Sequence, residues 1–192
     1  MKLKQGIIIV DEITTGLGRT GKWFGYNHFN LKPDIVVLGK SLGNGYPVSA
    51  VIIDNWMIKK NEESGFMHYQ SHQNDPLGCK IAEGVLNEIR EENLVQNSKE
   101  LGFLFLNILK EELEPISSIE DIRGIGLLIG IQVKPDIKVE DIYNNLAKKG
   151  IIIGISITYN MLNIVPPYTM DKELIPTIAG KIKESIFETI TN

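Results

Sequence analysis

The chain has 192 residues, 43% of them hydrophobic and 23% charged, with a net charge of −4. This is the profile of a folded globular chain, and its mild acidity gives no reason to expect nucleic acid or an anionic membrane as a partner. The single cysteine, Cys79, excludes an intrachain disulfide and a multi-cysteine zinc site.

No signal peptide is expected, because Met1-Lys2-Leu3-Lys4-Gln5-Gly6 runs directly into a strand. No apolar segment reaches the roughly 18 residues that a membrane span requires. A cytoplasmic setting is the resulting expectation.

In chain order, residues 6–13 read as a first strand. Ile7-Ile8-Ile9-Val10 is short, β-branched and unalternating, which is the pattern of a strand buried on both faces of a parallel sheet. It closes on Asp11 and Glu12. Gly16 to Gly21 reads as a glycine-rich loop, and Trp23, Phe24, Tyr26 and Phe29 as an aromatic connector packing over the sheet. His28 has no second ligand-type residue at helical spacing and reads as structural. A second strand over 35–39 closes on Lys40. Gly43-Asn44-Gly45-Tyr46-Pro47 is turn chemistry, and 48–53 is a third strand.

Asp54 is placed to cap a short helix over 55–61. The polar stretch 66–76 carries His68 and His72, but no cysteine or close acid pair completes a metal site. Pro76 opens a long helix whose expected apolar face is Leu77, Ile81, Val85 and Ile89, ending at Asn93. A second helix covers about 94–113, carrying Leu101, Phe105 and Ile108, and Pro115 stops it. The remainder predicts a smaller α+β unit. Its strands are at 119–123, 127–133, 151–153 and 162–165, with a helix over 139–149. A final helix from Asp171 carries Leu174, Ile178, Ile182, Ile186 and Ile190 on one face.

Asp11 and Lys40 thus stand at the C-terminal ends of two core strands, where open α/β sheets place their ligands. Three readings compete for the stretch between them. Gly16-Leu17-Gly18-Arg19-Thr20-Gly21 matches the dinucleotide fingerprint G-x-G-x-x-G, but no helical pattern follows, and Asp34 precedes the next strand instead of ending it. Gly16 to Lys22 nearly spells a phosphate loop, with paired acids at Asp11-Glu12, but Trp23 stands where a hydroxyl should bind magnesium. The third reading uses both ends. A buried amine becomes the better nucleophile toward a carbonyl, and a buried carboxylate requires a cation. Pyridoxal phosphate offers an aldehyde to the lysine and a pyridinium nitrogen to the aspartate.

The run from Asp11 to Phe24, DEITTGLGRTGKWF, resembles the class III aminotransferase signature. Pro33-Asp34-Ile35 and Gly39-Lys40-Ser41-Leu42-Gly43-Asn44-Gly45-Tyr46-Pro47 resemble that family's lysine segment. Arg123 to Gly130 resembles its small-domain strand, and Pro166-Pro167-Tyr168-Thr169 its Pro-Pro-Leu-Thr. The resemblance covers nearly the whole chain.

It implies an α/β fold: the end of a fold type I large domain, with parallel-sheet strands, over 1–93, then a small α+β domain over 94–192. It implies pyridoxal 5'-phosphate as cofactor. The reaction would be transamination between an amine or amino acid and a 2-oxo acid. Lys40 is the lysine that joins the cofactor, and Asp11 pairs with its ring nitrogen. Ile13 packs on the ring. Thr14 falls where many relatives carry a glutamine near the ring hydroxyl. Ser71 falls where relatives carry a threonine that reaches the phosphate of a neighbouring subunit, which implies a homodimer. Asn163 stands where many relatives carry an arginine that clamps the substrate carboxylate, and an amide cannot supply that positive fork. In the family, roughly as much chain again precedes Asp11 and supplies the phosphate loop and a stacking aromatic. The expectation is therefore a C-terminal half, acting as a transaminase or serving only alongside a separate N-terminal half.

Overall fold

The computed structural model describes residues 6–67 and 69–191. The chain divides into two compact units, Met1–Val95 and Gln96–Asn192.

The first unit is built on three strands in the order β1 (Ile9–Asp11), β2 (Ile35–Leu38), β3 (Ala50–Ile53). β1 and β2 run parallel, with Ile9 opposite Ile35 and Asp11 opposite Val37. β3 departs from the parallel pattern and runs antiparallel to β2, pairing Ile35 with Ile53 and Leu38 with Ala50. The connections explain the difference. Residues 12–34 give β1 room for a crossover. The link from β2 to β3 turns back tightly through a 3-10 turn at Lys40–Leu42 and the left-handed Asn44 and Gly45. Gly43 is obligatory there: a Cβ on it would lie 1.9 Å from the Tyr46 carbonyl oxygen.

Burial on both faces is met only in part. Val36 and Leu38 are buried, but Ile9 is 61% exposed and Val51 59%. Within the first unit, the loop after β1 covers one face, with Gly16 against Leu38. Val51, Ile52 and Ile53 of β3 remain at the surface.

α1 (Asn55–Ser64) is capped by Asp54, whose carboxylate accepts from Trp56 N at 3.4 Å, and it ends on the left-handed Gly65. α2 (Pro76–Glu91) follows Asp75, which accepts from Leu77 N, with Pro76 in the first turn. α3 (Leu94–Leu113) begins two residues before the division between units.

The second unit holds an antiparallel sheet in the order β4 (Ile119–Ile125), β5 (Leu128–Val133), β7 (Met161–Ile164), β6 (Gly154–Ser156). α4 (Val139–Lys148) and α5 (Ile175–Thr191) complete it. One core unites Phe105, Leu109 and Leu113 of α3 with Ile129, Ile131 and Val133 of β5, Ile142 and Leu146 of α4, and Ile182 and Ile186 of α5. Alternation along β5 leaves Gly130 and Gln132 on the opposite face. Gly102 of α3 lies against the β4–β5 turn, where a Cβ would come 2.1 Å from the Gly126 carbonyl oxygen. Asn160 fixes the approach to β7. Its amide nitrogen donates to the carbonyls of Val133, Lys134 and Ile137, and its oxygen accepts from Val139 N.

Two expectations are corrected here. The strand expected over 151–153 lies at Gly154–Ser156. Ile151 and Ile153 pack on the core from an extended segment, and the residues that meet β7 come only after them. The apolar face of α5 is Ile175, Ala179, Ile182 and Ile186, while Leu174 and Ile190 are exposed. A series read every four residues rotates by about 40° per step at 3.6 residues per turn, so its ends leave the buried face. Leu77 at the start of α2 is exposed for the same reason, whereas Ile89 is buried.

Candidate active site

β1 and β2 are parallel and in register, so the residues that end them leave the sheet at one edge. Asp11 is the last residue of β1; Lys40 follows β2 after one glycine. Gly39 between them is extended, and Ile13 lies beside it, with both γ-carbons 3.6 Å from where a Cβ would stand. Asp11 Oδ1 accepts from Ile13 N at 2.9 Å, which tightens the turn after β1. Lys40 has a left-handed backbone, φ 43°, and its Nζ donates to Thr14 Oγ1 at 2.5 Å. Asp11, Ile13, Thr14 and Lys40 therefore share one corner of the sheet.

Both charged groups differ from expectation in one respect: Asp11 and Lys40 are exposed. Burial therefore does not activate the Lys40 amine as it stands in this chain, because no described residue covers the sheet edge.

Glu12, one residue on, has the opposite fate. It is 4% exposed. Its Oε2 accepts from Thr15 Oγ1 at 2.7 Å and Gly25 N at 2.8 Å, and its Oε1 accepts from Tyr26 N at 2.8 Å. The backbone of Gly16 donates to the Glu12 carbonyl, and a Cβ there would come within 2.7 Å of it. Glu12 is thus the acceptor around which the loop folds. Asp34 is also buried, accepting from Ile8 N and from Trp56 Nε1.

These partners remove the competing chemistries. Glu12 is consumed by loop donors and does not form a metal pair with Asp11. Asp34 is a buried acceptor before β2, not a ribose ligand after it. The glycine-rich stretch leads into a 3-10 helix at Gly25–Phe29, not the α-helix that a dinucleotide or phosphate loop opens. Among the described residues no group of three or more His, Cys, Asp or Glu could hold a metal. His28 is structural, with Nε2 3.1 Å from Thr20 Oγ1.

Ser71 is exposed in the turn segment before α2, in the first unit. His72 there faces Asp75 at 3.3 Å, and His68 lies outside the described residues. Asn163 is in the second unit, half-buried on β7, paired with Gly130 and Gly154. Sequence reasoning missed Glu12, Asp34 and Asn160. The available signal was the glycine-rich loop itself, because closely turned backbone N–H groups require acceptors and an adjacent acid is the nearest source.

The residues 2–186 match the family model for class-III aminotransferases. The chain belongs to the class III aminotransferases. The acetylornithine aminotransferase of Lactococcus lactis subsp. lactis is 35% identical over 170 residues, covering 86% of this chain and 43% of that protein. A leucine/methionine racemase from Thermococcus litoralis is 34% identical over 191 residues, covering 95% and 43%. The structure of Plasmodium falciparum ornithine delta-aminotransferase superposes with a TM-score of 0.91 at 31% identity, covering 100% of this chain and 48% of that one. This class III chain thus has the fold type I α/β architecture and spans less than half the length of the curated relatives it matches. Among its described residues no helix is long and apolar enough to cross a membrane.

The corner described above fits the family's cofactor chemistry. It offers a surface amine, a carboxylate with one oxygen not engaged by the turn, and an apolar side chain beside Gly39. An amine, an anion and an apolar contact are the group types that pyridoxal phosphate requires.

Proposed function

We propose that this chain contributes the lysine and aspartate of a pyridoxal 5'-phosphate-dependent transaminase. Its reaction is amino transfer between a primary amine or amino acid and a 2-oxo acid. The observation that carries the reading is the parallel register of β1 and β2, which brings Asp11 and Lys40 to one edge.

Bound there, the cofactor supplies an aldehyde and an electron-withdrawing ring. Lys40 is the attachment point, and its amine moves a proton at the substrate carbon that bears nitrogen. Asp11 holds a proton on the ring nitrogen by charge and hydrogen bonding. Ile13 contacts the ring. Ser71 donates to the phosphate of a second subunit. Residues 1–93 act as the end of the large domain and 94–192 as the small domain. A cytoplasmic setting agrees with the lone, exposed thiol of Cys79.

An absorbance spectrum of the chain with pyridoxal phosphate, before and after borohydride, tests this assignment. A visible band that borohydride fixes onto the peptide containing Lys40, and that K40A lacks, is the expected result. A borohydride-sensitive band in K40A overturns it.

A second reading is favoured by one observation. Ile9, Val51 and Ile52 expose apolar surface on strands of a pattern suited to burial. Under it the chain is catalytic only when a separate N-terminal half covers those faces. The isolated chain then self-associates or requires the complementing chain, and light scattering showing a stable monomer contradicts that.

A further inference from the structure

We propose that Thr14 is a positioning residue for Lys40, holding the amine at the mouth of β2 before any ligand arrives; this rests on the reading of Lys40 given above. Three observations converge on it. The Thr14 hydroxyl is 2.5 Å from Lys40 Nζ, although 26 positions separate the two in sequence. The Lys40 backbone is left-handed, a conformation that is unfavourable for a residue with a side chain and that persists where surroundings impose it. The turn that carries Thr14 is itself fixed, by the Asp11 carboxylate on Ile13 N and by Ile13 against Gly39. Asp11, Ile13 and Thr14 thus each meet, or hold the turn that meets, the Gly39–Lys40 corner.

A lysine side chain loses much rotamer freedom when one position is imposed on it. A hydroxyl serves this role in both protonation states, because it accepts from an ammonium and donates to a free amine. The contact therefore survives the proton movements that the lysine's role requires. It also gives Thr14 a function that differs from contact with the cofactor ring: it acts through Lys40.

The test is competitive reductive methylation of the full chain, without cofactor, with limiting formaldehyde and cyanoborohydride. Peptide mass spectrometry reads Lys40 against the exposed Lys59 of α1 as internal reference. T14V removes the hydroxyl at nearly constant shape, and T14S restores it. The Lys40-to-Lys59 ratio is expected to rise about two- to fivefold in T14V and to stay at the wild-type value in T14S. T14A serves in place of T14V if the valine variant does not give the wild-type circular dichroism spectrum. An unchanged ratio in the folded hydroxyl-free variant overturns the proposal, as does an equal rise in T14S. Formaldehyde needs no cofactor site, so this failure is separate from that of the cofactor reading, which falls if the absorbance band survives K40A.

Discussion

Asp11 and Glu12 are adjacent carboxylates with different work. Asp11 ends a strand at the surface and gives one oxygen to its own turn. Glu12 is buried and accepts three hydrogen bonds from the loop that follows. Replacing Glu12 by glutamine substitutes an NH2 for one acceptor oxygen and leaves buried donors unmet. E12Q is expected to lose about 3 kcal/mol of stability in urea unfolding. Asp11→Asn keeps an oxygen for Ile13 N and is expected to change stability by less than about 0.5 kcal/mol, while weakening the pyridoxal phosphate absorbance band. Equal destabilisation of the two variants would show that the division of labour is wrong. The placement of Asp11 and Lys40 at the ends of β1 and β2 is legible in the sequence because each breaks an apolar run at its end. Glu12 is less legible: the glycine-rich loop beside it is the one signal, while two of its three donors are the backbone N–H groups of Gly25 and Tyr26, which have no residue-type signature.

At the scale of elements, glycines separate close packing from open surface. A Cβ on Gly102 meets the Gly126 carbonyl at 2.1 Å, so G102A is expected to cost about 2 kcal/mol or more through displacement of α3 from the β4–β5 turn. A Cβ on Gly84 of α2 meets nothing within 4 Å, and G84A is expected to gain about 0.5–1 kcal/mol. Thermal unfolding of the pair checks both signs; a neutral G102A would mean that the turn yields freely.

The ion pairs of Lys149 link it to α5. The hydrogen bond to Glu188 is the main cause that raises the Lys149 ammonium above the ordinary lysine range, with the charges of Glu188 and Glu184 adding to it. A raised lysine contributes stability that is fully present below its unfolded pKa and lost as pH rises through the folded one. K149M is therefore expected to be less stable than wild type at neutral pH, with the gap closing only in strongly alkaline solution. A gap independent of pH would assign the effect to packing alone.

Element existence and type are legible from apolar period and end signals: α3 occupies the expected 94–113, Asp54 caps α1, and Pro76 opens α2. Faces and short strands are less so. A four-residue series drifts off the α5 core, and Ile151 and Ile153 pack without pairing because tertiary contacts, not β-branching, decide which backbone reaches β7.

At the scale of the whole molecule, the two units differ in how their strands are covered. The second unit buries alternate residues of β5 fully in a core shared with three helices. The first leaves Ile9, Val51 and Ile52 at the surface of a three-stranded sheet. Unalternating apolar strands predict cover on both faces, and pattern alone cannot tell whether that cover lies within the same 192 residues. The prediction at this scale is self-association of the isolated chain, reversed when a complementing chain occupies those faces.

On the proposed reading, the shared edge of β1 and β2 presents Lys40 as the cofactor-binding amine. Absorbance of the folded chain with pyridoxal phosphate, before and after borohydride and beside K40A, decides this. A band that borohydride traps on the Lys40 peptide and that K40A lacks is expected. A trapped label on other lysines only, or a band unchanged in K40A, would contradict it.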